Sequence, residues 1–269
     1  MLAADAFLDV DGARLRYRDE GHGPAVLLIH GWTLDLDIWA WQAEALRGAY
    51  RVIRYDRRGF GGSSGSPSIA GDVRDVLDLL QHLRVVRVAA VGMSQGVRVA
   101  LRLASVRPDL LACLVLDGAP PHCNRAGPSA DSDVPMDSFR VLARQSGMPA
   151  FRRAWAAHEF TQLMTRDAEA HRILDRVLSG YPGHDLLQPI QAESLQPIDI
   201  GAVRQRAIVL NGKCDTARQR RFGRALAREL PAAHYVLIPG AGHLANLDNP
   251  AAYNDLLVAF FKEFPWSVS

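Results

Sequence analysis

Apolar positions along the chain gather into short continuous runs separated by longer stretches of helical spacing. Ala25 to Ile29, Arg51 to Tyr55, Val86 to Val91, Leu111 to Leu116, Ala207 to Leu210 and Tyr235 to Ile238 are such runs, and they fit strands covered on both faces. Ahead of them, Phe7 to Val10 and Leu15 to Arg18 alternate around Asp11-Gly12, which predicts a β-hairpin. Between the runs, Ile69, Val73, Val76, Leu77, Leu80 and Leu83 recur three or four residues apart, predicting an amphipathic helix with Ser68 at its N-cap. Gln95 to Val106, Arg218 to Leu230 and Pro250 to Phe264 carry the same spacing. Strand and helix in alternation predict an α/β fold, a mostly parallel sheet with helices on both faces.

The rhythm stops between Pro120 and Pro197. A polar stretch from Pro120 to Pro135 is followed by helical patterns without strands. Asp167 opens one of these and Gly180 closes it, with Ile173, Leu174, Val177 and Leu178 as its apolar stripe. Helices inserted between two strands predict a cap over one end of the sheet. The expected division is a core of residues 1–119 and 200–269 and a helical cap, or lid, of residues 120–199.

Composition narrows the picture further. With 269 residues, 48% of them hydrophobic, the chain can bury the core of one large domain. Thirty-one basic residues against 29 acidic ones leave a formal charge of +2, and no basic run supplies a phosphate-binding footprint, so no nucleic-acid partner is expected. No apolar run approaches the roughly 18 residues of a membrane span, and Asp5 and Asp9 fall where a signal peptide needs an apolar stretch. A soluble, cytoplasmic protein with no membrane partner is the expectation. Cys113, Cys123 and Cys214 are widely spaced and form no C-x-x-C, which argues against a disulfide framework or zinc site. Neither a spaced metal-ligand set nor a glycine-rich nucleotide fingerprint occurs, so no metal and no cofactor are expected.

Candidate chemistry lies at strand ends. Gly92-Met-Ser94-Gln-Gly96 follows one strand immediately and opens a helix, a context that forces a sharp turn and projects the serine hydroxyl. Gly61-Gly-Ser63-Ser-Gly65 matches the same pattern but sits in a polar loop, where a structural turn is the better reading. A serine hydroxyl needs a base, and the base needs an orienting acid. His243, on the loop Pro239-Gly-Ala-Gly-His243 after the last strand, is the candidate base. Two acids could orient it. Asp215 gives the chain order Ser, Asp, His and is favoured; Asp117, at the end of an earlier strand, is the alternative. Backbone amides of Gln95, at the helix start, and Trp32, in the loop His30-Gly31-Trp32-Thr33, are the candidate oxyanion donors.

These motifs resemble the α/β-hydrolase superfamily over nearly the whole chain outside the cap. His30-Gly-Trp is similar to its short oxyanion loop, and Tyr55-Asp-Arg-Arg-Gly-Phe-Gly-Gly-Ser63 to its Asp-x-Arg-Gly-x-Gly-x-Ser turn after the fourth strand. The C-terminal third is most similar to 3-oxoadipate enol-lactonases and related small esterases and perhydrolases. The resemblance implies an eight-stranded α/β-hydrolase fold and a cofactor-independent serine hydrolase acting on a small ester or lactone through Ser94, Asp215 and His243. Carbon–carbon bond hydrolysis or perhydrolysis by the same triad is the enzymatic alternative. A small-molecule receptor is the non-enzymatic one, distinguished by ligand binding without turnover. Serine at position 94 argues against dehalogenases and epoxide hydrolases of this fold, which use Asp as nucleophile. Substrate choice is expected to reside in the cap, where Arg140, Arg144, Arg152, Arg153, Arg166, Arg172 and Arg176 either guide an anionic substrate or, as the favoured reading, solvate helix faces.

Overall fold

The structure is a computed structural model that describes residues 4–121, 123, 134–188 and 196–263. Its strands are β1 (Ala6–Val10), β2 (Ala13–Glu20), β3 (Ala25–Ile29), β4 (Arg51–Tyr55), β5 (Val88–Met93), β6 (Leu111–Asp117), β7 (Ala207–Gly212) and β8 (Ala233–Ile238). They form one sheet in the order β1-β2-β4-β3-β5-β6-β7-β8. Only the β1–β2 and β2–β4 pairs are antiparallel. This is the eight-stranded, mostly parallel sheet that the resemblance implied, its first two strands at the expected hairpin and the other six at the continuous apolar runs.

Around the sheet lie α1 (Ala40–Leu46), α2 (Ile69–His82), α3 (Gln95–Val106), α4 (Met136–Ala156), α5 (Ala168–Gly180), α6 (His184–Leu187), α7 (Ala217–Glu229), α8 (Ala245–Asp248) and α9 (Pro250–Lys262). Ser68 caps α2, its side chain accepting from the Gly71 amide, and Asp167 caps α5 by accepting from Glu169 and Ala170. Alternate strand residues feed two cores. Val26, Leu28, Val91 and Val115 face α1, α9 and the inserted helices, whereas Leu27, Ile29, Ala90 and Leu116 face α2, α3 and α7.

Several boundaries differ from expectation for identifiable reasons. The strand expected from Val86 begins at Val88, because Ala25 of β3 pairs with Val88 while Val86 is 72% exposed in the turn after α2. Helix α7 starts one residue early, at Ala217, since Thr216 accepts the Gln219 amide and caps it. The end expected for the last helix, Phe264, lies outside the described residues, as do residues 124–133 of the polar stretch. Helix α1 and the 3-10 turn before it, Leu36–Trp39, were not anticipated; each is too short to display a helical period. In α4 the chain breaks at Gly147, with φ 79° and ψ 166°, two residues before Pro149, so two helices meet at a kink.

Parallel register brings the strand ends together. Ile29 pairs with Gly92, Gly92 with Leu116, Asp117 with Leu210 and Gly212 with Ile238. The loops after β3, β5, β6, β7 and β8 therefore leave the sheet at its carboxyl edge, and residues of α4 to α6 touch that edge. Among the described residues no helix is long and apolar enough to cross a membrane.

Candidate active site

Ser94 joins β5 to α3 with φ 50° and ψ −117°, a left-handed conformation that non-glycine residues seldom adopt. Its amide donates to the Asp117 carbonyl at 2.7 Å, and its own carbonyl accepts from Val97 at 2.9 Å, which fixes the turn at both ends. Gly96 lets α3 lie directly on β3: a Cβ there would be driven into the Ile29 carbonyl oxygen. Sharp backbone geometry thus lifts the serine out of the sheet at the start of a helix.

His243 reaches the same edge from the loop after β8. Its Nδ1 pairs with Asp215 Oδ2 at 3.2 Å, and both side chains are buried. Asp215 is tightly held. Oδ2 also accepts from Asn211 Nδ2 at 3.0 Å, and Oδ1 accepts the Thr216 amide at 2.7 Å. Burial alone would push this carboxyl up, but the charge of His243 and these hydrogen bonds hold it below its ordinary value. Room for the imidazole depends on Gly118, at φ 58°, where a Cβ would stand 2.9 Å from His243 Cε1.

Asp117 occupies a different place. Its Oδ2 accepts from Tyr253 at 3.2 Å, its Oδ1 is buried without a hydrogen-bond partner, and burial pushes the carboxyl up to about 8. A carboxyl that is neutral at pH 7 is poorly suited to stabilising an imidazolium. Of the two acids considered from the sequence, Asp215 is the one bonded to the histidine Nδ1.

The loop after β3 passes beside the serine. A Cβ on Gly31 would lie 3.2 Å from Ser94 Cβ, so the peptide leading into Trp32 stands next to the hydroxyl-bearing carbon. His30 anchors the loop from below: its Nδ1 bonds the Gly31 carbonyl at 2.7 Å and its Nε2 accepts the Arg57 amide at 2.9 Å. Burial and the Arg57 charge push its pKa down to about 3, so the ring stays neutral. Arg57 also pairs with buried Asp72 at 2.6 Å and donates to Gln95 Oε1 at 2.8 Å. Gln95 is the first residue of α3, where amides lack intrahelical acceptors. Ser63, the second pattern match, serves the turn instead: it accepts the Arg16 amide and donates to the Asp56 carbonyl.

Ser94 and His243 line a common cavity of about 50 Å³, walled by Trp32, Leu34, Trp155, Phe160 and neighbouring residues, none of them carrying a permanent charge. Trp155, Phe160 and Thr161 come from the inserted helices and were not anticipated, because an aromatic in a helical stripe looks the same whether it faces core or cavity. Four of the seven arginines considered as guides for an anionic substrate bond within the inserted segment, and none of the seven lines the cavity. Arg144 donates to the Leu186 and Gln188 carbonyls, Arg152 to the Tyr181 carbonyl, Arg140 to Asp137 and Arg172 to Glu169. Arg140, its side chain only 14% exposed, braces that segment where a solvated helix face was the favoured reading.

The chain has relatives among known proteins over most of its length. The chain is 25% identical over 257 residues to the pimeloyl-acyl-carrier-protein methyl ester esterase of Nitrosomonas europaea, covering 90% of this chain and 97% of that protein. Among solved structures it is similar to the enol-lactonase of Burkholderia xenovorans, with 26% identity, a TM-score of 0.78 and coverage of 96% of this chain and 100% of that one. It is also similar to a bromoperoxidase of Bacillus anthracis, with 26% identity, a TM-score of 0.81 and the same coverage. Residues 24–250 match the family described as alpha/beta hydrolase fold. With most of its length in that match and its sheet in the corresponding topology, this chain belongs to the alpha/beta hydrolase fold family.

Proposed function

We propose that the chain is a cofactor-independent serine hydrolase that cleaves a small carboxylic ester or lactone through an acyl-enzyme. The observation that carries this reading is the bond from His243 Nδ1 to Asp215, with Ser94 on a strained turn facing the same cavity. With Nδ1 committed to the carboxylate, Nε2 is the nitrogen left to act as base.

In this mechanism Ser94 Oγ attacks the carbonyl carbon while His243 Nε2 takes its proton. Charge on the carbonyl oxygen is met by the amides of Trp32 and Gln95, and Asp215 stabilises the imidazolium. Collapse of the tetrahedral species expels the alcohol oxygen, which receives the proton from His243. Water, activated by the neutral imidazole, then attacks the acyl-Ser94 ester and releases the carboxylic acid. For a lactone, alcohol and acid remain one molecule. The helices between β6 and β7 serve as the cap over this chemistry, and their uncharged aromatic lining favours apolar acyl groups.

A fluorophosphonate probe tests the reading directly. Labelling of the native chain that disappears in Ser94→Ala, together with turnover of p-nitrophenyl acetate lost in His243→Ala, is the expected result. Equal labelling of both proteins would refute it. Ligand-dependent thermal stabilisation without turnover would favour the receptor reading.

The likeness to a bromoperoxidase supports a second reading, in which hydrogen peroxide replaces water in the deacylation step and the product is a peracid. Bromide oxidation that requires acetate, hydrogen peroxide and Ser94 would establish it.

A further inference from the structure

The loop after β3 is tied to the inserted helices at two consecutive residues. Trp32 donates its indole Nε1–H to Asp185 Oδ2 at 2.6 Å, and Tyr181 donates its hydroxyl to the other carboxylate oxygen. The indole is also packed edge-on against Trp155, with ring centroids 4.9 Å apart, and against Tyr181 at 6.0 Å. One residue further, Thr33 sits at φ 64°, a conformation that a β-branched side chain adopts only when its surroundings impose it. Its Oγ1 accepts from Trp155 Nε1 at 2.8 Å and donates to the Trp32 carbonyl at 2.6 Å. The two ties reach across 153 and 122 residues of sequence.

An oxyanion donor is useful only when its N–H points at the place where charge develops, and a misplacement of about 1 Å costs on the order of 10²-fold in rate. The peptide that carries the Trp32 amide is held on its near side by His30, whose Nδ1 bonds the Gly31 carbonyl at 2.7 Å; on its far side, at Trp32 and the strained Thr33, the bonds above come from the inserted helices. We propose that Asp185 and Trp155 are positioning residues, which hold the 31–33 loop so that the Trp32 amide is aimed at the acyl oxygen above Ser94. The inserted helices then take part in transition-state stabilisation as well as in covering the cavity. This inference rests on the serine-hydrolase reading.

The test uses Asp185→Ala, Trp155→Phe and Trp32→Phe in the full chain. The readouts are the second-order rate of Ser94 phosphonylation by a fluorophosphonate probe and the kcat and KM for p-nitrophenyl acetate, with thermal melts alongside. Each variant is expected to lose roughly tenfold or more in phosphonylation rate and kcat, with KM within about twofold, the pattern of an interaction made in the transition state. Asp185→Ala and Trp32→Phe both break the bond between these residues, so the double variant should lose less than the sum of the two single losses. Phosphonylation rates within twofold of the native chain, or an effect confined to KM, would overturn the proposal while leaving Ser94-dependent turnover intact. Should Asp185→Ala fail to fold, Trp155→Phe decides, because it keeps an aromatic side chain in place and removes the N–H that Thr33 Oγ1 accepts. A native chain that is not labelled at Ser94 would instead refute the serine-hydrolase reading itself, and this inference with it.

Discussion

The imidazole of His243 lies face to face with the ring of Phe160, their centroids 4.2 Å apart and their planes 18° apart. Phe160 belongs to the inserted helical segment, so that segment rests on the candidate base. On the proposed mechanism this stack fixes the plane of the imidazole and keeps bulk water from one face. Phe160→Ala should lower kcat/KM by about tenfold and destabilise the fold by about 3 kcal/mol, with Phe160→Leu intermediate. Initial rates and urea denaturation measure both, and an alanine variant at the native rate would remove any role for the stack.

The two strand-end carboxyls are expected to separate cleanly. Asp215→Asn leaves the ring without an anionic partner and should cost on the order of 10³ to 10⁴ in kcat. Asp117→Asn should retain most turnover at pH 7, since burial already keeps that carboxyl neutral and asparagine can still accept from Tyr253. Side-by-side kinetics would decide; loss of activity in Asp117→Asn alone reassigns the acid.

The same carboxyl predicts a pH dependence of stability. With burial raising Asp117 to about 8 from its ordinary 3.8, the native state binds this proton more tightly than the unfolded chain. Its contribution is therefore complete below about pH 4 and is lost as pH rises through about 8. Asp35, raised to about 7 by burial and neighbouring acids, acts in the same direction. Urea midpoints should fall between pH 5 and pH 9, and the fall should be shallower in Asp117→Asn. An identical slope in the variant would contradict this account.

A methyl group added at Gly96 should be felt at Ser94. Gly96→Ala forces α3 away from the Ile29 carbonyl, at a cost of about 1 to 3 kcal/mol, and displaces the turn that carries the serine. Gly48→Ala, where a Cβ meets nothing within 4 Å, provides the matched control and should be close to neutral. Melting temperatures and labelling rates of the pair test this directly; equal behaviour would show that the contact yields without strain.

Much of the architecture is legible along the chain. Ala25 to Ile29 is apolar throughout because both its faces are covered, and it forms β3 with those bounds. Gln95 to Val106 opens where the strand's apolar run ends at a glycine and a serine, and it forms α3 over the same span. Ser68, Asp167 and Thr216 are capping residue types, and their side chains accept the orphan amides of α2, α5 and α7. Less legible were the short elements. Leu36–Trp39 and α8 each run for about one turn, too little for any period to register.

By itself the sequence determined the strand–helix alternation, the parallel sheet and the gathering of Ser94, His243 and two candidate acids at one edge. Those follow from local periodicity and from the rule that parallel strands end on the same side. Only the tertiary structure decided which acid meets His243, because Asp117 ends β6, Asp215 lies just beyond β7, and the two differ in what surrounds them. It alone decided how the inserted helices meet the edge as well. Trp32 with Asp185, Trp155 with Thr33 and Phe160 with His243 join residues from distant parts of the chain. An aromatic ring or a carboxylate announces such a partner through no spacing, since the contact exists only once both segments are packed on the same core.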